Sequence, residues 1–437
     1  MKFSFVHKTF VEHEIEPEKW AVVGENSALT WTEFKKAVDS MCHFFQKNGW
    51  DQLEYPVLLY GHKETEMIIA MYACIQMEIP YIPADVVYPI ERLNSIRTIA
   101  QCELVINCTQ TPLNLANTIE VQFTAGTLEC KQAIDCTLRT TAATDPLIYI
   151  IFTSGSTGEP KGVQISTEAI RDFTEWMITD FGFTSDDVFI NVALLSFDLS
   201  VYEVMTFGAL GATLLLNSKT TTENPELMLK RIEANRGTVW VSTPSFSFIY
   251  SRIDDVSSLA SVKYFLFCGE LLPHPLAKKL VEKFPTATVY NTYGPTEATV
   301  ATTQVIIDAA ILEKYNPLPV GKSKPNSTLL IENEEIIIVG KNVSLGYLNR
   351  PELNAEKFIT INNQRAFKTG DVGYFENEML FFKGRNDDQV KLHGYRIELN
   401  EITAKINEID GVLQAATIAL KRNEEVKKIV SLITIQP

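Results

Sequence analysis

The chain has 437 residues, too many for one ordinary hydrophobic core, and its 46% hydrophobic and 21% charged residues describe a globular protein of at least two lobes. A formal net charge of −15 argues against an electrostatic grip on nucleic acid or on an anionic membrane. Seven scattered cysteines without a CxxC pair, six histidines without an HExxH spacing and no apolar run of membrane-spanning length exclude a disulfide frame, a zinc site and membrane insertion, and read as reduced cytoplasmic thiols. In chain order, Trp31-Thr32-Glu33-Phe34 opens an amphipathic helix through His43 and Phe45, with Ser27 and Thr30 as candidate caps. Tyr55–Tyr60 spells a short strand, and Glu64–Met77 a helix with Met67, Ile68, Met71 and Ile75 on its apolar face. Ile79–Pro83 is an extended piece and Leu104–Asn107 another strand. This alternation predicts mostly parallel sheet with helices on its faces. The polar stretch Thr137–Asp145 is loop-like and leads into the segment on which the chain is organised.

That segment is Leu147-Ile-Tyr-Ile-Ile-Phe-Thr-Ser-Gly-Ser-Thr-Gly-Glu-Pro-Lys-Gly-Val163. Its first half is β-branched and aromatic, a buried strand by composition. From Thr153 to Gly158 it turns to hydroxyls and glycines, then closes on Pro160, Lys161 and Gly162. Glycines allow successive amides to turn toward one concave point; the hydroxyls and the lysine add donors and charge. A phosphate suits such a cradle, although Pro160 stands where the Walker pattern needs a glycine. The plain alternative, a flexible surface loop, explains the glycines but not the lysine.

After Val163 helices are expected at Thr167–Met177, Ser200–Ala209, Glu226–Asn235 and Pro275–Phe284. Strands are expected at Val188–Asn191, Ala212–Leu216, Val239–Ser242, Tyr264–Cys268 and Thr288–Tyr293. Beyond about Leu318 the pattern changes to short strands such as Ile336–Val339 with glycine turns, which predicts a β-rich subdomain.

Three further clusters carry chemistry. In Asn291-Thr-Tyr-Gly-Pro-Thr-Glu297, Tyr293 could stack on a base, Asn291 could meet a purine edge and Glu297 is a hard oxygen ligand for magnesium; an ordinary capped turn is the alternative. In Ser196-Phe-Asp-Leu-Ser-Val-Tyr-Glu203, Ser200 and Glu203 spell a capping box, which leaves Asp198 to find another cation, such as a ligand ammonium. In Thr369-Gly-Asp371 with Gly384–Lys391, Asp371 could accept from ribose hydroxyls and Arg385 could meet a ribose or phosphate oxygen; charged loops between strands are the alternative.

Together the four clusters resemble the adenylate-forming family: acyl-CoA synthetases, luciferases and the adenylation domains of nonribosomal peptide synthetases. The phosphate-loop motif stands as Tyr149–Gly162, the aspartate motif as Phe197-Asp198, and the adenine motif as Asn291–Glu297. The ribose motif is Lys368–Asp371, and the hinge motif is Gly384–Lys391 with His393–Glu398. Leu29–Glu33, Pro80–Pro83 and Glu335–Gly340 with Gly346-Tyr347 are weaker matches. Within the family the chain is most similar to D-alanine–carrier protein ligases of teichoic acid metabolism. That similarity rests on Gln164–Ser166, Ser242–Phe246, Phe267–Glu270, Thr292 to Val300 and Lys391–Tyr395.

The resemblance implies an α/β fold. A large N-terminal lobe of two doubly wound αβα layers (residues 1–385, with the β-rich subdomain at about 318–385) would be followed by a small α+β C-terminal lobe from 386 to 437. It implies ATP and Mg2+, a small amino acid, D-alanine by the similarity just named, and a phosphopantetheinylated carrier protein, with no nucleic acid partner. Thr153, Ser154, Gly155, Ser156, Thr157, Gly158 and Lys161 would hold the β- and γ-phosphates, with Asn291, Thr292, Tyr293, Gly294, Thr296, Asp371 and Arg385 around the rest of the nucleotide. Thr153, Lys161, Thr296 and Glu297 would be catalytic, with Glu297 on Mg2+. Asp198 would pair with the α-ammonium, and Leu199, Tyr202, Cys268, Val300 and Ala301 would line the side-chain pocket, Cys268 against the substrate methyl. Asp387 would be the hinge. The family's small lobe continues to a second glycine–lysine loop whose lysine bridges the substrate carboxylate and ATP. The sequence stops at Pro437 with no candidate after Arg396, so an incomplete lobe without that lysine is expected. Two alternatives remain open at this point: a peptide synthetase domain for another small amino acid, and an ATP- and amino-acid-binding protein without catalysis.

Overall fold

Leu147–Thr153 is a buried strand, parallel to Tyr81–Asp85 and antiparallel to Lys161–Ser166. In that antiparallel pair Thr153 faces Lys161 and Phe152 faces Gly162. A Cβ at Gly162 would stand 2.9 Å from Phe152 and Ile150, so glycine is required there by close approach. Lys161 begins a strand that the sequence pattern hid, because Gly162 and Gln164 break the apolar run. This computed structural model describes residue 16 and residues 18–50, 53, 55–130, 146–154, 159–253, 255–392, 395–422 and 425–435. The expected loop 137–145, the phosphate-loop residues Gly155, Ser156, Thr157 and Gly158, and His393 and Gly394 of the hinge motif lie outside the described residues.

Around this pair an eight-stranded sheet runs in spatial order Gly346–Tyr347, Lys161–Ser166, Leu147–Thr153, Tyr81–Asp85, Val57–Gly61, Leu104–Asn107, Ile119–Thr124 and Thr127–Cys130. A nine-stranded sheet runs Lys322–Ser323, Thr303–Ile306, Thr288–Tyr293, Tyr264–Phe267, Val239–Ser242, Val188–Asn191, Thr213–Leu216, Trp20–Val23 and Ala28–Thr30. From Thr288–Tyr293 to Trp20–Val23 its strands are parallel, and the strands outside that stretch are antiparallel. Helices between the parallel strands supply the crossovers that parallel pairing needs. The β-rich part is a five-stranded antiparallel sheet of Ser327–Glu332, Glu335–Gly340, Gln364–Glu376, Phe358–Ile361 and Met379–Arg385. After it come the pair Gln389–Leu392 and Tyr395–Glu398, the helix Leu399–Asn407 and the hairpin Val412–Arg422 with Glu425–Ile435. The fold is the α/β architecture expected from the sequence.

Two helices show how the lobe is held. Trp31–Lys47 starts at Thr30, whose hydroxyl accepts from the Glu33 amide while Glu33 accepts from the Thr30 amide, a reciprocal cap; Thr30, and not Ser27, is the cap. Thr65–Met77 carries buried residues around its whole circumference, as expected of a helix enclosed on all sides. One apolar cluster joins these helices to strands of both large sheets, through Leu59 and Ile106 on one and Phe189 and Leu214 on the other. No helix among the described residues is long and apolar enough to cross a membrane.

Between the sheets Tyr72 donates from its hydroxyl to the Val204 carbonyl at 2.6 Å, with its ring 5.3 Å from Phe34 and 5.4 Å from Phe207. Gly208, in the helix Val201–Leu210, lies directly beneath that phenol, and a Cβ there would overlap it. Gly208→Ala is therefore expected to cost about 1–3 kcal/mol through overpacking. Thermal unfolding of the variant checks this, and an unchanged midpoint would show that the two helices are not held at this distance.

Candidate active site

In an open parallel sheet the loops that can carry function gather outside the carboxyl ends of the strands. Both large sheets obey this rule toward one cavity of about 970 Å³. His62 and Lys63 follow Val57–Gly61, Val87 follows Tyr81–Asp85, and Ser154 follows Leu147–Thr153. From the nine-stranded sheet come Val192, Asn217, Thr243, Cys268 and Gly294, each within a residue or two of a strand end. The volume is at the upper end for small-molecule sites, enough for a nucleotide beside a small co-substrate.

Asp198 lines this cavity at the start of a 3-10 turn, Asp198–Ser200, ahead of the helix Val201–Leu210. The capping box read from Ser200 and Glu203 does not form. The turn makes Ser200 already helical, and its hydroxyl donates back to the Phe197 carbonyl at 2.8 Å. Glu203 points instead into a buried polar cluster. Asp198 Oδ2 accepts from Thr296 Oγ1 at 2.5 Å, which joins the aspartate motif to the loop after Tyr293. Leu199, Cys268, Val300 and Thr296 line the same cavity as Asp198. Tyr202 and Ala301 do not. Tyr202 is fully buried behind this wall, its hydroxyl 2.7 Å from Thr292 Oγ1 and its ring 5.3 Å from Phe173. Thr292 in turn donates to the Phe267 carbonyl, so the pair props the strand end that presents Cys268.

Across the cavity Asp371 and Arg385 form an ion pair, Arg385 also reaching Asp387 through Nε at 2.7 Å and Nη2 at 2.6 Å. The Tyr293 hydroxyl donates to Asp371 at 2.6 Å, and burial beside that carboxylate holds the phenol well above its ordinary pKa. An ionised carboxylate has about four acceptor sites, so Asp371 can still accept from a ligand diol. Asn291 braces the loop: its amide donates to the Pro319 carbonyl at 2.7 Å and it does not line the cavity. Thr153 and Ser154 line the cavity at the phosphate-loop strand, and the Thr153 hydroxyl is buried with no partner among the described residues. Glu297 is wholly buried and accepts from the Tyr347 hydroxyl at 2.7 Å. Lys161 sits above the Tyr347 ring, 5.7 Å from its centroid, and pairs with Glu398 at 3.1 Å. Among the described residues no group of three or more His, Cys, Asp or Glu side chains gathers to hold a metal.

The sequence reading missed a polar floor. The Lys219 amide donates to His62 Nε2 at 2.9 Å, so Nδ1 carries the proton and donates to Asp85 at 2.8 Å. Lys63 donates to Asn191 Oδ1 and to the Ala193 carbonyl, and Asn191 donates to Glu203 at 3.3 Å. Only a lysine inside an apolar strand-to-helix join could have signalled this. Burial pushes the Glu203 carboxyl up to about 8 against the pull of Lys63, and holds Lys63 down to about 8. A raised carboxyl pKa means that the folded state binds the proton more tightly. Stability from this group is present below the ordinary value of 4.5 and is lost as the pH rises toward 8. The Lys63 shift acts above that window. Glu203→Gln is expected to flatten the fall in thermal midpoint between pH 5 and 8; an equal slope in both proteins would refute the assignment.

Comparisons with known proteins place this cavity in context. The chain is 38% identical over 433 residues to the D-alanine–D-alanyl carrier protein ligase of Bacillus licheniformis, covering 96% of this chain and 86% of that protein. It is 37% identical to the ligase of the same name from Bacillus anthracis, covering 95% and 86%. Its fold is similar to that of the Vibrio cholerae adenylation domain AlmE, solved with glycyl-adenosine-5'-phosphate: TM-score 0.84, 20% identity, 99% of this chain and 89% of that one. PA1221, an NRPS protein containing adenylation and PCP domains, gives TM-score 0.83 at 22% identity, covering 99% and 76%. The AMP-binding enzyme family matches residues 11–348, a span that holds both strand-end arrays and Asp198 but not Asp371 or Arg385, and the chain belongs to that family.

Proposed function

We propose that the chain is an amino acid–carrier protein ligase that uses ATP to activate D-alanine and passes it to the phosphopantetheine thiol of a carrier protein. One observation carries this reading: a single cavity holds Asp198, suited to an ammonium, and Asp371 with Arg385, suited to a ribose. The substrate carboxylate oxygen attacks the α-phosphorus, forming the aminoacyl-adenylate as pyrophosphate leaves. The carrier thiolate then attacks the acyl carbon and AMP leaves. In this reading Asp198 fixes the ammonium, Thr296 lies between Asp198 and the α-phosphate, and Thr153, Ser154 and Lys161 face the outer phosphates. Gly155, Ser156, Thr157 and Gly158 would complete that cradle.

Mg2+ is held elsewhere by one or two carboxylates together with substrate phosphates, and Glu297 is a donor of that kind. The ion would neutralise charge on the leaving pyrophosphate. Asp387 is the hinge in this reading, with the C-terminal lobe beginning at 386. A cytoplasmic setting is part of it as well. The buried cysteines Cys42, Cys74, Cys102, Cys108 and Cys268 are free thiols, and burial pushes Cys42 and Cys102 up to about 12, which keeps them unreactive.

Binding measurements on the intact chain test the two ends separately. Asp198→Ala is expected to cost about 3–5 kcal/mol in affinity for a non-hydrolysable D-alanyl-adenylate mimic if the ligand buries the ion pair fully, and less if it does not, while AMP binding stays unchanged. A propionyl mimic that binds the wild type as tightly as the D-alanyl one would remove Asp198 from this role. Cys268 faces the cavity where the Cα substituents of the two enantiomers exchange places. Cys268→Ala is expected to narrow the preference for the D-alanyl over the L-alanyl mimic by about 1–3 kcal/mol, the scale of one methyl group. Tighter binding of a larger aminoacyl mimic would favour a peptide synthetase substrate instead.

A further inference from the structure

Lys63 is a buried cation to which the reaction described above gives no part. It lines the cavity, yet only 6% of the residue is exposed. It follows Val57–Gly61, a strand of the eight-stranded sheet, but its ammonium donates to acceptors of the nine-stranded sheet, Asn191 Oδ1 and the Ala193 carbonyl. His62, next to it in the chain, reaches the same sheet through the amide of Lys219, which follows the neighbouring strand Thr213–Leu216. Adjacent residues of one loop thus tie neighbouring loops of the opposite sheet.

What the lysine holds is the segment that presents Asp198. The strand Val188–Asn191 ends at Asn191, and Val192, Ala193, Leu194 and Phe197 line the cavity on the way to Asp198. One buried cluster stakes this segment at both ends. The Asn191 carbonyl accepts from Asn217 Nδ2 at 3.1 Å, and the Asn191 side-chain amide donates at 3.3 Å to Glu203, on the helix that begins beyond Asp198. Lys63 binds the Ala193 carbonyl between those stakes. Beyond it the loop closes on itself, the Phe197 amide donating to the Leu194 carbonyl at 3.0 Å.

Burying an ammonium is costly and is tolerated where it satisfies acceptors that would otherwise be buried unmet. An apolar side chain at position 63 would take the donor from Asn191 Oδ1 and from the Ala193 carbonyl, and the loop would lose the stake nearest to Asp198. A charged group that must meet a ligand in one geometry loses most of its effect when its support is loosened by a fraction of an ångström. Asp371 and Arg385 stand on the five-stranded sheet, outside the loops that His62 and Lys63 tie, so recognition of a ribose does not depend on the lysine.

We infer that Lys63 is a positioning residue for selection of the amino acid: it fixes the segment from Asn191 to Asp198 so that the Asp198 carboxylate meets the α-ammonium. This rests on the role given to Asp198 above. Lys63 acts through that carboxylate and makes no contact of its own with the substrate.

The test is a double-mutant cycle on the intact chain, read by calorimetric titration with the D-alanyl-adenylate mimic, the propionyl mimic that lacks the amino group, and AMP. Lys63→Met keeps the length of the side chain and removes its donors. It is expected to cut the preference for the D-alanyl over the propionyl mimic about tenfold, with AMP affinity unchanged. In the Asp198→Ala background the same substitution is expected to change that preference by less than about twofold, because its effect passes through Asp198. A merely structural role would weaken all three ligands together, and a direct contact with the substrate would subtract the same factor in both backgrounds. Either result overturns the inference, as does an unchanged preference in Lys63→Met. If Lys63→Met does not fold, Asn191→Ala, which removes one acceptor of the lysine, takes its place in the cycle with the same expectation and the same refutations. A wild type that binds the two mimics equally would instead remove the ammonium role of Asp198, and this inference with it.

Discussion

Parallel strands cannot be joined by tight turns, and the site follows from that constraint. Each parallel strand in the two large sheets must be followed by a crossover, and the crossover leaves the carboxyl end through a loop whose backbone is not bound by the sheet. Two such sheets, clamped face to face through the helices Trp31–Lys47 and Thr65–Met77, bring two arrays of these loops to one cavity. Ser154 arrives from one sheet and Cys268 and Gly294 from the other. The chemistry is therefore assembled from residues far apart in sequence, on strands whose buried apolar side chains fix their height and direction. The antiparallel five-stranded sheet adds Asp371 and Arg385 from two neighbouring strands, where they face each other in register.

The polar groups that line the cavity, and several buried behind its walls, are paired with one another. Asp198 holds Thr296, Asp371 holds Tyr293 and Arg385, Glu297 holds Tyr347, and Lys161 holds Glu398. A buried carboxylate or ammonium without a partner would cost several kcal/mol, so these pairs let the cavity carry charge without unfolding the lobe. The consequence for binding is that a ligand exchanges partners with the protein; it does not meet bare charges. Its affinity is then a difference between two sets of hydrogen bonds. Specificity follows most strongly where the exchange would leave a group unpaired. The Lys63, Asn191 and Glu203 cluster belongs to the same pattern, one layer below, and shows how the floor of the cavity is kept polar.

The parts legible in the sequence are those whose signal is local. The apolar run before Thr153, the alternation of strands and helices, the cap at Thr30 and the change to short antiparallel strands beyond Leu318 all rest on neighbours within a turn or a strand. The unread parts depend on distant partners. Asp198 and Thr296 are 98 positions apart, and Lys63 and Asn191 are 128 apart. No spacing rule connects them. The capping box at Ser200 and Glu203 failed for a related reason. Glu203 has a tertiary environment of buried Lys63 and Asn191, and burial of the whole helix outweighed the local cap. The strand Lys161–Ser166 escaped because its apolar face is interrupted by the glycine that its partner Phe152 demands.

The same physics separates what the cavity discriminates strongly from what it discriminates weakly. In the proposed reading an ammonium opposite Asp198 would replace a hydroxyl already bonded there, so a ligand without the amino group would leave the Asp198–Thr296 pair intact and gain nothing from it. A methyl group against Cys268 meets a small, polarizable thiol on a strand end propped by Thr292 and Tyr202. Contact of that kind is worth about 1–3 kcal/mol per methyl or methylene and tolerates near neighbours. Tyr202 cannot retreat to admit a longer side chain without breaking its bond to Thr292 and its edge contact with Phe173. The wall that Cys268 presents is accordingly backed by a fully buried phenol that does not itself line the cavity.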